Sequence, residues 1–211
     1  MIASDYFDEA LKFTLYHEGA WSYDQYGGET FCGIAERKHP ETFATIREIA
    51  QSIEVPKSLD DLAVEVYFFL LHKKKKLPDP NIKKVAHYVV SFYSKIWHSL
   101  PYVLDGTLLV KIVMFDATFN MGLRRASKIL QETINELGGR LIVDGIVGPK
   151  TRHAFLKTYG IYKDDFCFVY NGVRCANYAR LKGFSEFGAG WINRVKDLNV
   201  LIADIKKKNS I

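Results

Sequence analysis

His17-Glu18-Gly19-Ala20-Trp21-Ser22-Tyr23-Asp24-Gln25-Tyr26-Gly27-Gly28-Glu29-Thr30-Phe31-Cys32-Gly33 joins a helical pattern to a glycine-rich one. Upstream, Phe7, Ala10, Leu11, Thr14 and Leu15 recur at helical spacing, which predicts an amphipathic helix over residues 4–17. Ser4 or Asp5 can cap its start. Glu18 continues the stripe of Leu11 and Leu15, so it stands on the apolar face at the helix C-terminus. Desolvation and the negative end of the helix dipole both favour its neutral form there. Gly19 ends the helix. Residues 19–33 carry too many glycines to predict regular structure, and Gly27-Gly28 marks a turn.

The same periodicity predicts helices over 34–52 (broken at His39-Pro40), 59–72, 81–99, 106–121, 123–137, 149–158, 162–182 and 189–207. The expected core stripe of 59–72 is Leu59, Leu62, Val66, Phe69 and Leu70. That of 81–99 is Ile82, Val85, Val89, Phe92 and Ile96, joined by Tyr93 and Trp97. Leu141-Ile142-Val143 suits a short strand, Asp144-Gly145 a tight turn, and Pro149 the first turn of a helix. Lys73 to Lys76 read as a solvated helix end, and Leu77-Pro78-Asp79-Pro80 as a linker. The fold class is therefore mainly α, with about eight or nine helices and little or no strand.

The chain has 211 residues, 48% hydrophobic and 25% charged. That suits one domain or two small ones with an ample core. The net charge of +5 favours a polyanionic partner without choosing one. Nucleic acid is not expected, since no basic face interleaved with aromatics appears. Cys32, Cys167 and Cys175 have neither zinc-like nor redox spacing and are read as buried thiols of a protein made in a reducing compartment. No metal or cofactor is implied. Asp5, Asp8 and Glu9 argue against a signal peptide. No apolar run approaches the roughly 18 residues of a spanning helix, so no membrane insertion is expected. The protein is expected to be a monomer.

Glycosidic bond cleavage usually needs two carboxyl groups. Glu18 suits the protonated acid. Asp24, in a polar loop, suits the ionised partner, and the Thr30 hydroxyl suits a water held against it. Trp21, Tyr23 and Tyr26 offer flat faces to sugar rings. By spacing alone the bland alternatives weigh more: an Asx turn for Asp24, a core position for each aromatic.

Glu18-Gly19-Ala20-Trp21 followed by Gly27-Gly28-Glu29-Thr30-Phe31-Cys32-Gly33-Ile34 resembles the opening motif of glycoside hydrolase family 108, whose members are N-acetylmuramidases and proteins labelled secretion activators. Glu18, Gly19, Asp24, Gly27, Gly28, Thr30, Gly33 and Ile34 match the pattern. Phe115-Asp116-Ala117, Asn120-Met121-Gly122, Ala126, Leu130-Gln131 and Asp144 to Thr151 resemble the peptidoglycan-binding region that follows in this family. Tyr93 with Trp97 matches its aromatic pair, and Phe187-Gly188, Gly190-Trp191 and Arg194 its closing motif. Ala20 replaces a family Gly, the loop after Glu18 is shortened, and no Pro follows Asp24.

The resemblance implies a lysozyme-like catalytic part over 1–104, with an added helical insertion over 36–88, and a peptidoglycan-binding part over 105–211. It implies hydrolysis of the β-1,4 bond between N-acetylmuramic acid and N-acetylglucosamine, with Glu18 as general acid, Asp24 and Thr30 beside it, and Trp21, Tyr23, Tyr26 and Asn120 on substrate. A lytic transglycosylase and a catalytically impaired wall-binding or secretion-related protein are the alternatives. The expected partner is the peptidoglycan glycan strand, reached in the periplasm or outside after export or holin-type release.

Overall fold

The computed structural model describes residues 3–24, 28–52, 58–72 and 80–209. The predicted lysine run and all of its linker but Pro80 fall outside them. The described residues hold nine α-helices, two single-turn 3-10 helices and one small sheet. In order they are α1 (Ala3–Glu18), β1 (Trp21–Asp24), β2 (Gly28–Phe31), β3 (Ile34–Ala35), α2 (Pro40–Gln51), α3 (Leu59–His72), α4 (Pro80–Ser99), α5 (Leu108–Met121), α6 (Leu123–Glu136), α7 (Pro149–Tyr162), α8 (Phe166–Ala179) and α9 (Phe184–Asn209). The mainly α expectation holds.

Glycine and proline set most of the boundaries. Pro40 and Pro149 occupy the first turns of α2 and α7, where a missing N–H costs nothing. Gly122, at φ +83°, separates α5 from α6. The predicted helix over 34–52 begins only at Pro40, because residues 34 and 35 are taken by β3. The segment Leu141-Ile142-Val143 forms no strand; its backbone is held by a side chain of α6 instead.

The larger correction concerns residues 19–33. Within them β1 pairs antiparallel with β2, and β3 extends the sheet in the order β1-β2-β3; residues 25–27, with Gly27 of the predicted turn, lie outside the described residues. Trp21 pairs with Phe31, Ser22 with Thr30, Tyr23 with Glu29 and Asp24 with Gly28; Phe31 pairs with Ile34. The glycines punctuate the strands. Gly19, Gly28 and Gly33 all have positive φ and stand at strand ends or turns, where a side chain is disfavoured.

The chain divides into two compact units, residues 11–95 and residues 1–10 with 96–211. In the first, α3 packs on β1 and β2, and α2 packs on α3 and β3. Its core holds Leu15, Phe31, Ile34, Phe43, Ile46, Leu62, Val66, Val89 and Tyr93, all fully buried. Phe69, Phe92 and Leu59, expected inside, are half-buried.

In the second unit α5 is the central rod. Every residue from Leu109 to Thr118 is buried, Lys111 and Asp116 included, so this helix is covered on all sides. Helices α6 and α8 pack on α5, α7 on α6, and α9 on α8. Phe7, Trp97 and Phe115 form an aromatic cluster beside it, with ring centroids 5.6 to 6.3 Å apart. All three cysteines are free. Cys32 and Cys167 are buried, and burial pushes both thiols well above the ordinary range, so they are inert as nucleophiles. Cys175, expected inside, is half-buried.

Candidate active site

Glu18 is the last residue of α1, and Gly19, at φ +76°, turns the chain into β1. The Gly19 N–H still donates to the Leu15 carbonyl at 2.9 Å, which closes the helix end. Glu18 is half-buried rather than enclosed. Its aliphatic stem lies against the tip of the β2–β3 hairpin. A Cβ placed on Gly33 would lie 3.0 Å from Glu18 Cγ and 3.1 Å from its Cβ. Only a glycine admits the acid at that distance.

The tip is held from several sides. The Cys32 N–H donates to the Ala20 carbonyl at 2.7 Å. The Tyr93 hydroxyl donates to the Cys32 carbonyl at 2.8 Å. Cys32 Sγ approaches the Ala63 carbonyl at 3.7 Å. The acid, the hairpin tip and Tyr93 therefore come together inside one unit.

The other expected site residues are distributed as follows. Thr30 is half-buried in β2, opposite Ser22. Asp24 ends β1, with its backbone opposite Gly28. Tyr26 lies outside the described residues. Trp21 and Tyr23 are exposed, at 38% and 66%, and share one face of β1. Asn120 belongs to the other unit; it is exposed, and its amide donates to the Asp116 carbonyl one turn back at 2.8 Å.

Two carboxylates not singled out from sequence flank the hairpin. Arg47 of α2 donates to Glu29 at 2.5 Å and to Glu36 at 2.9 Å. One cation thus joins β2 to the segment after β3.

The second unit hides a charged cluster. Asp116, 1% exposed, accepts from Arg174 Nη1 at 2.7 Å and from Arg194 Nε and Nη2 at 2.9 and 2.7 Å. Burial alone would raise the Asp116 carboxyl; the two guanidiniums outweigh it and hold the group below the usual range. Arg174 Nε donates to the Tyr178 hydroxyl at 2.9 Å.

Gln131, buried on α6, organises the loop before α7. Its Nε2 reaches Asp144 Oδ1 at 2.8 Å, the Ile146 carbonyl at 3.1 Å and Thr151 Oγ1 at 3.2 Å, and its Oε1 accepts from the Gly145 N–H at 2.8 Å. The Gln131 amide, with the Ile146 N–H, holds the Asp144 carboxyl below its ordinary range. A groove of about 610 Å³ runs along α6 and α8, lined by Glu132, Glu136, Val173, Ala176, Asn177 and Arg180 among others.

Residues 125–196 match the family model described as "Predicted Peptidoglycan domain". That span takes in Gln131, its loop, the α6–α8 groove and both arginines of the buried cluster, and it ties the C-terminal part of the chain to peptidoglycan. The structure of SagA from Brucella abortus is similar in fold, with a TM-score of 0.55 at 21% identity over 95% of each chain. No curated protein matches the chain. Among the described residues no group of three or more His, Cys, Asp and Glu is arranged to hold a metal ion, and no helix is long and apolar enough to cross a membrane.

Proposed function

We propose that the chain is a peptidoglycan hydrolase of the N-acetylmuramidase type, with Glu18 as the general acid. The observation that carries this reading is the packing of Glu18 against the Gly33 backbone at the hairpin tip. A carboxylic acid whose stem is pinned to a glycine turn is preorganised to protonate a leaving oxygen. The exposed rings of Trp21 and Tyr23 stand on the adjoining strand, where sugar faces can lie against them. Asp24 and Thr30 of the same hairpin are the groups assigned to the water or the oxocarbenium-like state. Asn120 is assigned to an N-acetyl sugar. The peptidoglycan domain match and the glycoside hydrolase family 108 resemblance support the substrate class.

Residues 1–104 are assigned the catalytic part and residues 105–211 the wall-binding part. The protein acts on the cell wall as a monomer, after export or release. Glu18→Gln is expected to abolish release of reducing ends from purified walls while the protein stays folded. Full activity in that variant would end the assignment. Product mass separates the transglycosylase alternative, since anhydro-muropeptides would replace reducing ends.

A second reading is favoured by the α6–α8 groove, which lies within the matched span. In that reading the chain binds the wall without cleaving it. Retained sedimentation with walls, with no soluble product from the unaltered protein, would choose it.

A further inference from the structure

We propose that Tyr93 is a positioning residue for Glu18, acting through the Cys32-Gly33 turn. The proposal rests on the reading of Glu18 as the acid. The turn joins Phe31 to Ile34, which are paired across β2 and β3, so its loop is only two residues long. Both loop residues have positive φ, +47° at Cys32 and +79° at Gly33. That is the type I′ pattern, in which the first position ordinarily goes to Asn, Asp or Gly. Cysteine has no side-chain carbonyl to ease the left-handed conformation, so the turn must be held by its surroundings.

Among the groups that hold it is a side-chain donor from a distant helix. Ala20 accepts the Cys32 N–H and Ala63 faces the thiol, both with backbone carbonyls. The Tyr93 hydroxyl takes the Cys32 carbonyl at 2.8 Å, from a side chain with no exposed surface on α4. The same hydroxyl and the Glu18 stem crowd the same place. A Cβ on Gly33 would clash with Tyr93 Oη and press on Glu18 Cγ together. Tyr93 and Glu18 thus lie against one α-carbon. Tyr93 fixes where that carbon sits, and the carbon limits which rotamer Glu18 adopts. Displacement of a catalytic group by about 1 Å costs on the order of 100-fold in rate. A bond that sets the turn therefore acts on the reaction without touching substrate.

Tyr93→Phe keeps the ring and removes the donor. Turnover is measured on soluble peptidoglycan fragments beside Leu62→Ala, a core truncation of the same unit that lies outside the turn. Tyr93→Phe is expected to lower kcat by at least about tenfold with KM little changed, while Leu62→Ala, though less stable, keeps kcat within about twofold. Wild-type kcat in Tyr93→Phe, or equal losses in the two variants, would overturn the proposal. A second readout does not depend on activity. The ¹³C carboxyl resonance of Glu18 is expected to shift in Tyr93→Phe, and the Gly33 amide to exchange faster, with neither change in Leu62→Ala. If Glu18→Gln stays active the acid assignment fails, and these two signals still decide the geometric claim. An unmoved Glu18 resonance in Tyr93→Phe sinks it.

Discussion

Asp116→Asn should be among the most damaging single substitutions in the second unit, although it preserves shape: it removes the charge and turns one of two acceptor oxygens into a donor facing a guanidinium. Asp116 binds both Arg174 and Arg194, and the three groups are at most 9% exposed at their side chains. Removing its charge leaves two cations in a space that water hardly reaches. Breaking a buried pair from one side costs about 3 to 5 kcal/mol. For a chain of this length each kcal/mol moves Tm by about 2 to 4 °C, so the expected loss is about 6 to 20 °C. Arg194→Leu should cost less, because it leaves Asp116 paired one-to-one with Arg174.

The pH dependence gives a further check. The folded Asp116 carboxyl is depressed below its unfolded value, so its stabilisation is fully present above the unfolded value of about 4. It is lost as pH falls through the lower folded value. The stability gap between wild type and Asp116→Asn should therefore be constant from neutral pH down to about pH 5 and narrow below about pH 4. Thermal unfolding at several pH values, followed by circular dichroism, measures both. A Tm loss under about 3 °C at neutral pH, or a smaller loss than in Arg194→Leu, would refute the view that the Asp116 charge holds both arginines in place.

Gly33→Ala should cost about 1 to 3 kcal/mol from its positive φ and displace Glu18, lowering wall hydrolysis by about tenfold or more; unaltered turnover would contradict the packing described. Gln131→Leu should remove the donors and the acceptor that hold the Asp144 to Thr151 loop, at about 1 to 3 kcal/mol, with faster amide exchange at Gly145 and Ile146 and an unchanged α5 core; unaltered exchange at those amides would refute it.

Helix positions were legible because their punctuation is local. Pro40, Pro149, Gly122 and Gly138 act on the backbone within a turn of where they stand, so spacing and breakers locate α2, α5, α6 and α7 to within a few residues. The hairpin was not legible for the same reason. The four glycines from Gly19 to Gly33 each signal a local departure from regular structure, while strand pairing is a cooperative property of residues 21–24 and 28–35 together. Asp116 falls within the helix predicted over 106–121, and it lies in α5. Its partners stand 58 and 78 residues further on, and neither periodicity nor spacing connects positions that far apart. A carboxylate flanked by apolar residues on a largely buried helix was the signal that a cation had to be near. The place of Glu18 at its helix end was legible because a helical phase and a terminating glycine mark the same spot.

The Gln131 side chain makes the loop before α7 a frame rather than a tether. The loop's shape is written on α6, by one amide that both gives and receives, and by Asn135, which binds the Leu141 N–H and carbonyl. The two isoleucines of that loop, Ile142 at 83% and Ile146 at 67% exposure, take no part through their side chains in its hydrogen bonding. The loop can therefore change what it shows without changing how it stands. Side chains at 142 and 146 can be exchanged for rings, amides or charges on an unaltered backbone, which makes this short segment a natural place for the chain to vary its surface while its helices stay the same.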